Sequence, residues 1–180
     1  TRDAGMTDGI GFLLGNATVV EGNAGTRQIQ FTITLTQPRG VPVSVEFSTS
    51  SGSAIAGVDF TSVSSQLVQF VANQSSKTVT VDILGDTLFE DDETLLASLS
   101  NPVNAAVLIG NAVGTITNDD AAPAVSIANQ SAPEGNAGMT SLVFTVTLSA
   151  PSAVPATVDY RTLDGTAGAE RAPLVRPVRA

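Results

Sequence analysis

A chain of 180 residues, 42% of them apolar, can bury a core and holds one domain, or one domain and part of another. Its net charge of −9 makes nucleic acid or an anionic membrane surface an unfavourable partner and a cation a natural one. Cysteine and histidine are both absent, which excludes disulfides, thiolate sites and the commonest general base and transition-metal ligand. After a flank of residues 1–9, a first strand is predicted near Ile10 to Val20. Ile29, Phe31, Ile33 and Leu35 then alternate with Gln30, Thr32 and Thr34. Val43, Val45 and Phe47 alternate with Ser44, Glu46 and Ser48, and Val68 with Phe70 forms a shorter strand. Val79, Val81 and Ile83 alternate with Thr78, Thr80 and Asp82; Leu95, Ala97 and Leu99 follow, and a last strand runs from about Val107 to Thr117. Apolar side chains at a period of two, divided by Gly, Pro, Asn and Ser turns, are the mark of half-buried strands. About seven strands over residues 10–120 predict an all-β fold, an antiparallel immunoglobulin-like β-sandwich. No segment carries a helical period.

The pattern then starts again. Glu21-Gly22-Asn23-Ala24-Gly25 returns as Glu134-Gly135-Asn136-Ala137-Gly138, a shift of 113 positions. The same shift maps Phe31-Thr32-Ile33-Thr34-Leu35 onto Phe144-Thr145-Val146-Thr147-Leu148 and Val45-Glu46-Phe47 onto Val158-Asp159-Tyr160, with no gap up to Ala54 and Ala167. The chain therefore reads as a tandem repeat: one complete unit at 10–120, a linker at 121–123 and a truncated second unit at 124–168. Residues 169–180 are foreign to the repeat. They carry three of the eight basic residues and no strand alternation. Two readings stay open for them, a truncation or frame change and a natural disordered basic tail. No apolar run reaches the roughly 18 residues of a membrane helix, so direct membrane insertion is not expected. No secretory signal is visible and the first residue is Thr1, which fits a processed product or a piece of a longer polypeptide.

Strands that alternate in direction send the first, third and fifth connections, and the exit from the last strand, to one pole. That pole receives Glu21, Asp59, Asp86, Glu90, Asp91, Asp92, Glu93, Asp119 and Asp120. The connections at the other pole, 37–42, 71–76 and 100–105, hold no acid. Carboxylates gathered without Arg or Lys nearby repel one another, and a bound cation relieves this. Calcium suits such a cluster, because it takes six to eight oxygen ligands from several loops in flexible geometry; magnesium, with its strict octahedron, ranks second. Solvated turn residues are the plainer alternative, and a single run such as Asp91-Asp92-Glu93 would deserve it. Four acidic segments converging on one pole favour the ion.

Several of these segments together resemble the Calx-beta repeats of sodium–calcium exchangers, integrin β4 and bacterial surface proteins. They are Val20-Glu21-Gly22-Asn23, Phe31-Thr32-Ile33-Thr34-Leu35 and Ala56-Gly57-Val58-Asp59-Phe60, then Ile83 through Glu93, Leu99-Ser100-Asn101-Pro102 and Gly114-Thr115-Ile116-Thr117-Asn118-Asp119-Asp120. The resemblance implies calcium at one end of the sandwich, with Glu21, Asp59, Asp86, Glu90, Glu93, Asp119 and Asp120 as ligands. Asp91 and Asp92 would face solvent or cap the turn. Gly85, Thr87 and Asn118 stand where the richest binders of the family carry aspartates, which implies one or two ions and weaker affinity.

The leading expectation is a calcium-stabilised structural or adhesive repeat of an extracellular or cell-surface protein, with neighbouring repeats or other surface proteins as partners. An ion beside Asp119-Asp120 would stiffen the joint Ala121-Ala122-Pro123. An accessory ligand-binding module of a secreted enzyme is the alternative. A carboxylate glycoside hydrolase is disfavoured, since the chain has no Trp and one Tyr to stack a sugar. The truncated unit, with apolar strands and no opposing sheet, is expected to be poorly ordered alone or to drive self-association.

Overall fold

The computed structural model describes residues 9–166 and the backbone of residues 176–179. The expected N-terminal flank, but for Gly9, and residues 169–175 and 180 of the basic tail lie outside the described residues. There is no helix among the described residues, so none is long and apolar enough to cross a membrane. The chain forms two compact units: the first holds the described residues up to Thr87 and Asp91–Asp120, and the second holds Leu88–Glu90 and the described residues from Ala121 onward.

The first unit is a β-sandwich. Its strands are β1 (Gly11–Leu14), β2 (Ala17–Val20), β3 (Gly25–Leu35), β4 (Val43–Ser51), β5 (Gln66–Phe70), β6 (Ser76–Gly85), β7 (Glu93–Val103), β8 (Ala106–Ile109) and β9 (Asn111–Thr117). One sheet has the order β6-β3-β1-β8 and the other β2-β9-β7-β4-β5. The period of two puts one side of each strand inward, so Ile29, Phe31 and Ile33 of β3 and Val45 and Phe47 of β4 are fully buried. The two inner faces meet through aromatic contacts. Phe31 packs on Phe47, and Phe12 on Phe70, each with ring centroids 5.6 Å apart and tilted planes.

The first and last strands differ from the sequence expectation, because each is broken in two. Gly15 and Asn16 separate β1 from β2, and Gly110 separates β8 from β9. Both halves then change sheets. β1 pairs antiparallel with β3 and parallel with β8, whereas β2 pairs parallel with β9. The physical cause is edge closure: a first strand that crosses between sheets runs alongside the last strand in the same direction, and satisfies its exposed N–H and C=O groups. The break is itself hydrogen-bonded, with Gly15 N–H donating to Thr32 O and Val113 N–H to Asn16 Oδ1. Every other pairing between these nine strands is antiparallel.

The second unit starts as the first does. β10 (Val125–Ile127) pairs antiparallel with β11 (Val146–Leu148), Val125 opposite Leu148 and Ile127 opposite Val146. These are the pairs Phe12 with Leu35 and Leu14 with Ile33 of β1 and β3, each moved by 113 positions. The hydrogen bond from Ser149 N–H to Ala124 O likewise repeats that from Thr36 N–H to Gly11 O. The turn glycines repeat too: Gly22 and Gly25 have φ of +82° and +73°, and Gly135 and Gly138 both +86°. Left-handed φ at both places explains why the glycines recur where other residues drift. β12 (Thr157–Tyr160) forms a separate two-stranded sheet with the backbone of β13 (Arg176–Arg179), inside the tail for which disorder was one of the two expectations.

Candidate metal centre

Four segments of the first unit converge at one pole. Gly25, which ends the first connection, pairs with Gly85 at the end of β6. A Cβ at Gly85 would run into the carbonyl oxygen of Gly22, so the first connection lies directly on this strand end. The third connection is tied to the same strand by Leu84 N–H donating to Asp59 O and Thr61 N–H donating to Asp82 O. The loop before β7 is tied to the exit of β9 by Asn118 N–H donating to Asp92 Oδ1 at 3.0 Å. The exit closes on the first connection through Gly22 N–H to Asp119 Oδ1 at 2.8 Å and Asn23 Nδ2 to Asp120 Oδ1 at 2.7 Å.

Among the seven acids named from the sequence, three meet closely. One carboxylate oxygen each from Asp59, Glu90 and Glu93 lies within 4.8 Å of the other two. Asp59 is held rigidly: it is 8% exposed and its Oδ2 accepts the N–H of Ile55 at 2.6 Å. Glu90 and Glu93 are half-buried on the loop between β6 and β7 and at the start of β7. Glu21, Asp86, Asp119 and Asp120 are outside this trio. Glu21 is 5% exposed where β2 ends, its backbone N–H donating to Thr117 O. Asp86 is exposed beyond β6, and Asp119 is an exposed acceptor for the first connection. Asp120 is half-buried and directs Oδ2 inward; among the described residues, that oxygen is the one buried side-chain polar atom without a hydrogen-bond partner.

Asp92 caps the exit segment through Asn118, one of the two roles expected of it. Two things escape sequence reasoning. Asn118 braces the turn twice, its side chain accepting from Asp120 N–H and donating to Asp120 O. An Asx residue ahead of two aspartates is the signal that could have pointed to this turn. The second is a cation: the guanidinium of Arg27 lies over Gly22, so the pole is not free of positive charge as its connecting segments suggested. Gly85 also acquires a reason of its own, since no side chain fits there unless the first connection moves.

The trio fits a calcium ion. Two oxygens bound to one ion at about 2.4 Å stand at most about 4.8 Å apart. The donors are all hard oxygens, and backbone carbonyls and water complete the coordination of such sites. The orphaned Asp120 Oδ2 is a further acceptor whose burial calls for a partner.

Among curated proteins, none matches this chain. Among solved structures, the apo form of the Calx CBD1 domain superposes with a TM-score of 0.55 at 24% identity, over 63% of this chain and 100% of that one. The calcium binding domain CBD12 of CALX1.1 gives 0.53 at 27% identity, over 61% of this chain; the match spans 44% of that structure's length. CBD12 from CALX1.2 gives 0.55 at 17% identity, over 94% of this chain and 81% of that one. The Calx-beta domain matches residues 7–121 and again residues 118–172, and the chain belongs to that family.

Proposed function

We propose that this chain is a calcium-binding structural and adhesive repeat of an extracellular or cell-surface protein. The observation that carries the reading is the spacing of Asp59, Glu90 and Glu93, whose oxygens lie within the 4.8 Å that one ion spans. The likeness to a structure described as a calcium binding domain supports it. Asp59, Glu90 and Glu93 would hold the first ion. A second would draw on Asp120, with Glu21, Asp86 and Asp119 nearby in the same pole, which keeps the expected number at one or two. A bound divalent cation supplies charge that quiets the repulsion among these carboxylates and links loops that are far apart in sequence. Three close carboxylates suit the weak affinities of extracellular modules, on the order of 10⁻⁴ to 10⁻³ M. Because Asp119 and Asp120 directly precede Ala121-Ala122-Pro123, ion binding would also stiffen the joint toward a neighbouring repeat.

The role is binding rather than catalysis. The acids stand without a histidine or an aromatic platform to make them a general acid and base pair on a sugar. Calorimetric titration of the chain with calcium tests the reading. Saturable heat at one or two ions per chain is expected; no heat at millimolar calcium, with magnesium equally silent, would sink it.

A further inference from the structure

Arg27 is out of pattern on its strand. The period of two that buries Ile29, Phe31 and Ile33 puts residue 27 on the same inward side of β3, beyond the core and level with the acidic pole. Its register partner is Ile83, two positions before Gly85. There the guanidinium lies over Gly22, with Cζ 2.8 Å from where a Cβ on that glycine would stand. Gly22 is the middle one of three residues that each bring an acid. Glu21 is itself one, Gly22 N–H donates to Asp119 Oδ1 at 2.8 Å, and Asn23 Nδ2 donates to Asp120 Oδ1 at 2.7 Å. The guanidinium and the Asp119 carboxylate therefore stand at most about 8 Å apart, about one Debye length at physiological salt.

Covering the glycine does not require a charge. The shift of 113 positions turns Arg27 into Thr140, which takes the same place in the second repeat. Its hydroxyl lies 3.5 Å from the Cβ position of Gly135 and donates to Glu134 O at 2.9 Å. A neutral side chain thus closes the same turn, so the turn is not what calls for the positive charge. We propose that Arg27 is a built-in counter-cation of the pole. It neutralises the carboxylates around the first connection when no ion is bound, and opposes calcium when one arrives. The inference rests on the calcium reading above and gives that site a determinant of affinity outside its ligands. A guanidinium suits the task, because it stays protonated at every relevant pH and has no lone pair to offer a metal. A single charge about 8 Å away does not replace coordination, but it shifts the binding of a doubly charged ion several-fold through partly screened solvent.

Calorimetric calcium titration and thermal melts of the 180-residue chain and three variants test this. Arg27→Thr installs the side chain of the second repeat and removes the charge, whereas Arg27→Lys keeps the charge. Lys77→Gln removes the same charge at the far end of β6, roughly 25 Å from Gly85. Arg27→Thr should bind calcium on the order of fivefold more tightly, and Arg27→Lys and Lys77→Gln within about twofold of the parent. In chelator, the first unit of Arg27→Thr should melt lower than the parent's, because its carboxylates lose their counter-charge; saturating calcium should erase that deficit. A cooperative transition shows that each variant is folded. Calcium affinity unchanged or weakened in Arg27→Thr, a chelator melt no lower than the parent's, an equal gain in Lys77→Gln, or Arg27→Lys behaving as Arg27→Thr would each overturn the proposal and leave the calcium reading standing. Silence toward calcium in the parent and all variants would overturn both.

Discussion

Gly22 donates its backbone N–H to Asp119 Oδ1 at 2.8 Å and so closes the first connection on the exit of the last strand, 97 positions away. The bond is charge-assisted and fixes the two segments between which Asp120 is held. Asp119→Ala should therefore lower stability by about 1 kcal/mol in chelator, where no ion contributes. Asp119→Asn keeps an acceptor oxygen and should lie closer to the parent. Chemical denaturation measures both; an alanine variant as stable as the parent would mean that the bond is replaced by water at no cost.

Calcium should raise the melting temperature of the first unit by linkage, because the folded pole binds the ion and the unfolded chain does not. At one hundred times the dissociation constant the gain is about 2.7 kcal/mol. Sodium chloride at matched ionic strength is the control, since plain screening also relieves repulsion among carboxylates. Superimposable melts in calcium and in chelator would leave the pole a solvated acidic surface.

Ligands and bystanders should separate on substitution. Glu90→Gln and Glu93→Gln each remove a charge from the close trio and should weaken calcium binding at least about tenfold, the effect of 1.4 kcal/mol. Asp91→Asn on the exposed loop and Glu46→Gln, which accepts from Asn101 Nδ2 at 2.9 Å on β4, should leave the affinity nearly unchanged. Equal losses from all four would indicate a diffuse field in place of coordination.

The inward face of each long strand was legible from alternation alone, as Ile29, Phe31 and Ile33 show, because burial on one side of a sheet imposes a period of two. Alternating strand direction likewise made it legible that Glu21, Asp59, Asp86 and Asp119 belong to loops at one end. Sheet switching was not legible. Gly15-Asn16 and Gly110 look like ordinary turn residues, and only the far edge of the sandwich decides that the chain crosses there. The composition of the trio was hidden for a similar reason. Which of seven acids come within 4.8 Å depends on loop conformation between Asp86 and Glu93, and no periodicity governs a loop.

Gly85 should tolerate no side chain. Its added Cβ would strike the Gly22 carbonyl, so Gly85→Ala must push the first connection off the end of β6, at a cost of about 1–3 kcal/mol. The displaced turn carries Gly22 and Asn23, so their hydrogen bonds to Asp119 and Asp120 should loosen together. Gly40→Ala is the matched control, since nothing lies within 4 Å of a Cβ there and its φ is not left-handed. It should change stability by no more than about 0.5 kcal/mol. Denaturation midpoints compare the two, and equal values would mean that the first connection yields freely.

Hydrogen exchange should divide the chain along its internal repeat. The amides of Phe31 and Ile33 lie in a β3 that pairs on both sides, with β1 and with β6, beneath a closed core. Their exchange should require global unfolding of the sandwich. The corresponding amides of Phe144 and Val146 lie on a segment whose described pairing is with β10 alone and whose apolar face is open. In a dilute, monomeric sample they should exchange orders of magnitude faster, although the register of Val125 with Leu148 and Ile127 with Val146 repeats that of the first unit. Sequence identity between the repeats thus sets pairing, whereas protection comes from the opposing sheet. Slow exchange of residues 142–148 in a demonstrably monomeric sample would show that the second unit closes without a partner, and the dependence of protection on a second layer would be wrong.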